Sequence, residues 1–157
     1  MPNDKEISLD SFDRRILREL QRDASPSNAE LARRVGLSAT PCWNRVRRMQ
    51  DAGVIAGTVA LVDREKIGLG VTVFVAVKTS HHESDWLSAF AEHVRGIPEV
   101  TEFYRMSGDT DYLLKIVAAD IGDYDRIYKT LIDGVTISDV SSSFAMEQIK
   151  YTTEVPV

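Results

Sequence analysis

The sequence predicts an α+β fold: an N-terminal helix-turn-helix layout, winged-helix-like in outline, followed by a ferredoxin-like βαββαβ layout. Three observations predict it. Residues 1–54 carry three short helical patterns with caps at their ends. From residue 70 onward, strand-like and helix-like runs alternate in the order β-α-β-β-α-β. The charge also changes sign between the two parts: residues 1–54 hold ten Lys and Arg against eight Asp and Glu, and the remainder holds nine against sixteen.

Each element has its own warrant. Leu9, Phe12, Ile16, Leu17 and Leu20 share one helical face, with Asp10 placed to cap the start. Ser27-Asn-Ala-Glu30 reads as a capping box for a second helix that ends near Gly36. Ser38 can cap a third, with Pro41 in the first turn, where a missing N–H does no harm, and Asp51-Ala-Gly53 closes it. Ile55 to Val62 and Gly68 to Lys78 read as strands. Trp86, Leu87, Phe90 and Val94 mark a helix, and Val100 to Met106 and Tyr112 to Ala118 read as strands. Ile121, Tyr124, Ile127, Tyr128, Leu131 and Ile132 mark the last helix, before a final strand from Val140 to Ile149. The expected organisation is therefore a helical domain over 1–54, a linker strand and hinge over 55–69, and a second domain over 70–157.

The strand Val71 to Val77 is apolar on both faces, with Val71, Val73, Val75 and Val77 on one and Thr72, Phe74 and Ala76 on the other. Two helices cover only one side of a four-stranded sheet. The other side is predicted to meet the sheet of a second copy, giving a homodimer. The alternative is a small sheet whose second face stays partly wet.

At 157 residues, 43% hydrophobic and 27% charged, the chain has the composition of a globular protein of one domain or two small ones. The net charge of −5, taken whole, argues against a nucleic-acid partner. Its distribution argues the reverse. The helical segment carries +2 and the rest −7, and five arginines with no acid lie between Glu30 and Asp51. One cysteine, Cys42, excludes an internal disulfide. Its inward helical position reads as small-residue packing rather than a redox sensor. The polar start, Met1 to Glu6, lacks a signal-peptide core, and the apolar run Val71 to Val77 is far short of a membrane span. No membrane partner and a cytoplasmic location are expected.

On the third helix Cys42, Val46 and Met49 share the face that should pack inward. Thr40, Asn44, Arg47 and Arg48 lie opposite, with Trp43 and Arg45 at the flanks. Arginine can bridge guanine O6 and N7, asparagine can bridge adenine, and Ser or Thr can bind phosphate. Ser38, Thr40, Asn44, Arg45, Arg47 and Arg48 are therefore the candidate contacts to double-stranded DNA. The bland alternative is a solvated arginine face on a structural helical bundle, and the acid-free window from Leu31 to Gln50 favours DNA.

Leu9-Asp10-x-x-Asp13-x-x-Ile16-Leu17, Glu30-Leu31-Ala32 and Val35-Gly36-Leu37-Ser38-x-Thr40-Pro41-Cys42-x-x-Arg45-Val46-x-Arg48 together resemble the Lrp/AsnC feast-or-famine transcriptional regulators. So do Gly53-Val54-Ile55, Ser107-Gly108-Asp109-x-Asp111-Tyr112-Leu113-Leu114 and Phe144-Ala-Met146-Glu147-Gln-Ile149-Lys150. The resemblance covers nearly the whole chain. It implies an N-terminal DNA-binding domain and a C-terminal ligand-binding domain. It also implies dimers that commonly assemble to octamers, and a free amino acid as effector. Trp43, His81-His82 and the run from Ser141 to Thr153 are similar to the cysteine-responsive subgroup that regulates cysteine detoxification. Cysteine is therefore the favoured effector, with leucine, methionine or another amino acid as alternatives.

The segment from Ser107 to Asp111 joins two strands. Its glycine permits close backbone approach, and its carboxylates could hold an α-ammonium group. Ser141, Ser142 and Ser143 offer hydroxyls. The resemblance implies an effector between subunits, near Gly108 to Asp111 and the loop before the last strand. The candidates are Met106, Gly108, Asp109, Asp111, Thr136, Ser138, Ser142 and Ser143. The alternative is a plain hairpin turn, since Gly-Asp is a common turn dipeptide.

Other chemistries fail on their motifs. Asp109-Thr-Asp111 is too short for a calcium loop. His81, His82, Glu83 and His93 read as a solvated loop and its neighbour rather than metal ligands. No Gly-x-Ser-x-Gly elbow occurs, and Gly68-x-Gly70 leads into a strand. No catalysis, metal or cofactor is expected beyond the amino-acid effector. Two rival readings are an architectural DNA-binding protein with weak sequence preference, and a small-molecule enzyme on the ferredoxin-like half.

Overall fold

The computed structural model describes residues 7–80 and 84–157. His81, His82 and Glu83 lie outside the described residues. The chain divides into two compact units: residues up to Leu61 together with Lys150–Val157, and Val62–Ile149.

The first unit holds α1 (Ser11–Arg22), α2 (Asn28–Val35) and α3 (Ala39–Asp51). Asp10 starts α1 with a full capping box: its carboxylate accepts the N–H of Phe12 and Asp13, and the Asp13 carboxylate accepts the N–H of Asp10. On α2 only half of the expected box forms. Ser27 accepts the Glu30 N–H, while the Glu30 carboxylate turns to Arg33 and Arg34. Gly36, at φ 73°, ends α2 in the left-handed region, and the Leu37 N–H returns to the Ala32 carbonyl at 2.8 Å. That turn delivers the chain directly into α3. The Asn28 amide ties the two helix starts together by donating to the Ala39 carbonyl at 2.8 Å. Ile16, Leu17, Leu31, Ala32, Val35, Cys42 and Met49 form the buried core, with Val46 packed against it. Cys42 and Met49 thus face inward, as their spacing predicts.

Residues 56–63 form no strand, contrary to the sequence expectation for Ile55 to Val62. A strand needs an edge to pair with, and no described strand pairs with this segment. Val59, Leu61 and Val62 are exposed instead, while Val54 and Ile55 pack on the helical core. The final segment, residues 150–157, makes its contacts with the helical unit. Arg18 donates twice to the Val157 carbonyl, and Gln21 exchanges two hydrogen bonds with Val155. Arg22 pairs with Glu154. These bonds satisfy main-chain groups of an extended tail that has no ladder of its own, and they fasten it to α1.

The second unit holds β1 (Val71–Lys78), α4 (Ser84–Arg95), β2 (Val100–Arg105), β3 (Tyr112–Ala118), α5 (Ile121–Ile132) and β4 (Asp139–Phe144). The strands form one antiparallel sheet in the order β2-β3-β1-β4, the ferredoxin-like arrangement. The last strand stops at Phe144 rather than Ile149: the Ala145 N–H still donates to the Thr72 carbonyl at 2.9 Å, but β1 begins at Val71, so the register leaves residues 147–149 no partner on it. Val73, Val75, Val77, Leu114 and Ile116 point under α4 and α5 and pack on Phe90, Ile127 and Leu131. Each such buried side chain contributes about 1.5–3 kcal/mol. No described helix covers the opposite face of the sheet. There Phe74 is 39% and Tyr104 50% exposed, and the buried Thr72 hydroxyl has no hydrogen-bond partner among the described residues.

Candidate nucleic-acid interface and effector site

The first candidate site is the outer side of α3. Ser38 starts the helix with extended backbone but makes no side-chain cap bond, so its hydroxyl is not spent on the helix. Thr40, Asn44 and Arg47 are exposed, and their spacing of four and then three residues aligns them along one side. Arg47 has Asp51 one turn on at 3.8 Å and the Trp43 ring at 5.2 Å.

Two of the predicted contacts also have carboxylate partners at the start of α1. Arg45 reaches back to α1, where one guanidinium nitrogen lies 2.7 Å from Asp10 Oδ2 and 2.8 Å from Asp13 Oδ1. Arg48 pairs with the other Asp13 oxygen. Asp13 is fully buried, and its carboxylate is satisfied by two guanidiniums and the Asp10 N–H. The Asp13 N–H, then the Arg45 guanidinium, hold the Asp10 carboxyl at about 2 against an ordinary 3.8. The cluster fixes the angle of α3 against α1, so Arg45 and Arg48 serve first as struts. Sequence reading missed Asp13, although a signal was there. It lies four residues after Leu9 and four before Leu17, a carboxylate on the apolar face of α1.

The second candidate site is one end of the sheet in the other unit. Residues 106–111 link β2 to β3. The Met106 N–H bonds the Asp111 carbonyl at 2.8 Å, and Gly108 takes φ 113°, a conformation that favours glycine. The Asp111 N–H donates to the Val77 carbonyl, its carboxylate accepts the Thr79 N–H at 2.8 Å, and the Ser138 N–H donates to the Lys78 carbonyl at 2.9 Å. The Thr136 carbonyl accepts the Trp86 indole N–H at 3.0 Å. The end of β1 thus gathers Asp111 and Ser138, with Met106, Gly108 and Asp109 exposed on the adjoining turn.

Ser142 and Ser143 do not join that group. They pair with Val75 and Phe74 in mid-strand and face opposite sides of the sheet. The Ser142 hydroxyl bonds the Tyr124 hydroxyl on the helix side. Burial pushes the Tyr124 hydroxyl pKa up, and the bond to Ser142 opposes that rise. This pair lines a shallow groove of about 330 Å³ with Ile121, Asp125, Tyr128 and Phe144. His93 is occupied elsewhere, with Nε2 2.8 Å from the Thr130 carbonyl. Among the described residues no helix is long and apolar enough to cross a membrane.

Known proteins show the same two parts. A winged helix-turn-helix DNA-binding model matches residues 9–56, and the Lrp/AsnC ligand binding domain matches residues 72–155. The chain is 51% identical over 150 residues to the DNA-binding transcriptional activator DecR of Escherichia coli K12, covering 95% of this chain and 99% of that protein. An AsnC family transcriptional regulator from Agrobacterium tumefaciens superposes with a TM-score of 0.92 at 55% identity, over 94% of this chain and 97% of that one. A transcriptional regulator from Neisseria meningitidis, solved as a complex with L-Met, superposes with a TM-score of 0.90 at 35% identity, over 95% and 97% of the two chains.

Proposed function

The chain belongs to the Lrp/AsnC family of DNA-binding transcriptional regulators, which are not enzymes, and from that premise we propose that it is a cytoplasmic, sequence-specific regulator of amino-acid metabolism genes with cysteine as its effector. The observation that carries the DNA reading is the division of labour on α3. Arg45 and Arg48 brace the helix on Asp13, and Ser38, Thr40, Asn44 and Arg47 are left outward. A rigidly held helix with hydroxyl, amide and guanidinium groups along one side suits a major groove. Cysteine rests on the likeness of Trp43 and the 141–153 run to the cysteine-detoxification subgroup. Methionine is one alternative with an observation behind it, since the Neisseria relative is solved with L-Met.

The working unit in this reading is a homodimer that assembles further to an octamer. The uncovered sheet face with Phe74, Tyr104 and the unpartnered Thr72 hydroxyl supports the dimer. The effector sits at the sheet end, where Asp109 and Asp111 take the ammonium group and Met106, Gly108, Thr136 and Ser138 line the approach. Ser142 and Ser143 lie in mid-strand, outside that group. Binding there shifts regulation only through unequal affinity for two assembly states.

A thermal-shift screen of the free amino acids under reducing conditions tests the effector. A selective, saturable rise for cysteine supports the reading, and the same rise for another amino acid replaces cysteine. The stabilisation should be about 2.7 kcal/mol at a hundredfold excess over Kd. No rise for any amino acid overturns the effector assignment.

A further inference from the structure

The outer side of α3 carries one large apolar group. Trp43 is 48% exposed and is absent from the residues that pack on the helical core, so burial does not account for an indole at this position. Trp43 lies three residues after Thr40 and four before Arg47, which places it between them on the helix surface. The Arg47 guanidinium carbon lies 5.2 Å from its ring centroid, within cation–π reach. Arg45 and Arg48 are both paired with the buried Asp13, whereas Arg47 is paired only loosely, with the exposed Asp51 at 3.8 Å, so among the α3 guanidiniums Arg47 is the least committed to the protein, and the indole is its platform.

We propose that Trp43 is a sequence-reading residue: its indole lies against the C5-methyl of a thymine in the major groove and holds the Arg47 fork toward the neighbouring base. The inference rests on the DNA-binding reading above. The thymine methyl is the one apolar group among the base edges of the major groove, and a half-exposed aromatic ring is its complement. A guanidinium already stacked on an indole has fewer rotamers to lose on docking, which sharpens its choice of guanine. The patch therefore reads two adjacent features, a methyl through Trp43 and a pair of acceptors through Arg47.

The test begins by selecting duplexes from a random pool with the full-length protein. The enriched half-site is then remade with each thymine replaced in turn by deoxyuridine, which removes the methyl alone. Wild type, Trp43→Ala, Trp43→Phe and Arg47→Ala are titrated at one salt concentration, and their melting temperatures confirm folding. At one thymine the replacement should weaken wild type about fourfold, the effect of one buried methyl, and should leave Trp43→Ala unaffected. Trp43→Phe should retain part of the sensitivity. Should Trp43→Ala fail to fold, Trp43→Phe alone decides, since the smaller ring must lower the methyl effect. Equal sensitivity of wild type and the Trp43 variants at every thymine overturns the inference and leaves the DNA reading standing. If wild type enriches no sequence at all, sequence-specific binding falls and this inference with it.

Discussion

The Arg45 guanidinium meets the Asp13 carboxylate at 2.8 Å, and Asp13 has no solvent exposure at all. One acid on α1 therefore sets the orientation of the helix that carries the candidate DNA contacts. Asp13→Asn removes the charge that two guanidiniums share. Arg45 and Arg48 keep 27% and 49% side-chain exposure and can turn to water. The cost should therefore match lost charged hydrogen bonds, about 2 kcal/mol, rather than a stranded buried ion. Urea denaturation checks this, and an unchanged midpoint would remove Asp13 from its bracing role.

The same cluster gives the first unit an acid limit. The folded Asp10 carboxyl sits at about 2 and its ordinary value is 3.8. A lowered carboxylate pKa stabilises the fold above the ordinary value, and that contribution is lost as pH falls from about 4 toward 2. Wild type should lose thermal stability across that window more steeply than Asp10→Asn. Parallel melting curves for the two proteins would contradict the assignment.

In the proposed reading Arg47 and Arg48 are neighbours with different duties. Arg47→Ala should weaken binding to the selected duplex by about 1–3 kcal/mol, relax the preference at one base, and leave the melting temperature near wild type. Arg48→Ala should lower the melting temperature, since it strips one of the cations from Asp13. Titrations on selected and random duplexes, paired with melting curves, separate the two. An identical pattern for both variants would count against the division of labour.

The uncovered sheet face predicts an interface of this chain with itself. Phe74→Glu places a charge on that face and should shift the proposed dimer toward monomer at least tenfold in dissociation constant, since an unpaired buried carboxylate is strongly unfavourable. Light scattering after size exclusion reads the mass directly. A variant that stays dimeric at low micromolar concentration would place the interface elsewhere.

At the sheet end, Asp111→Asn should abolish most of the effector-induced thermal shift while the protein still binds DNA. Ser142→Ala should retain that shift, because its hydroxyl is engaged by Tyr124 under α5. Calorimetric titration with cysteine provides the check. A full response from Asp111→Asn would remove that carboxylate from the ligand.

Much of this was legible from spacing. The βαββαβ order, the Tyr112–Ala118 strand and the inward face Cys42 and Met49 follow from apolar period and caps. What was illegible depends on contacts far apart in sequence. Arg45 looks like a free cation until α1 brings Asp13 beneath it, 32 residues away. Ser142 and Ser143 look equivalent until the ladder sends them to opposite faces. The run through Val59 and Leu61 has strand chemistry but no described strand beside it, and residue pattern alone does not reveal whether an edge is available.

The tail from Lys150 to Val157 belongs with the unit whose helices come first in the chain. During synthesis, α1, α2 and α3 emerge from the ribosome before any of the sheet. Arg18, Gln21 and Arg22 then wait for partners that are translated only after β4. The helical unit is begun before the sheet and completed only after β4. A nascent chain arrested within the sheet would carry all three helices and still lack the segment that closes over α1.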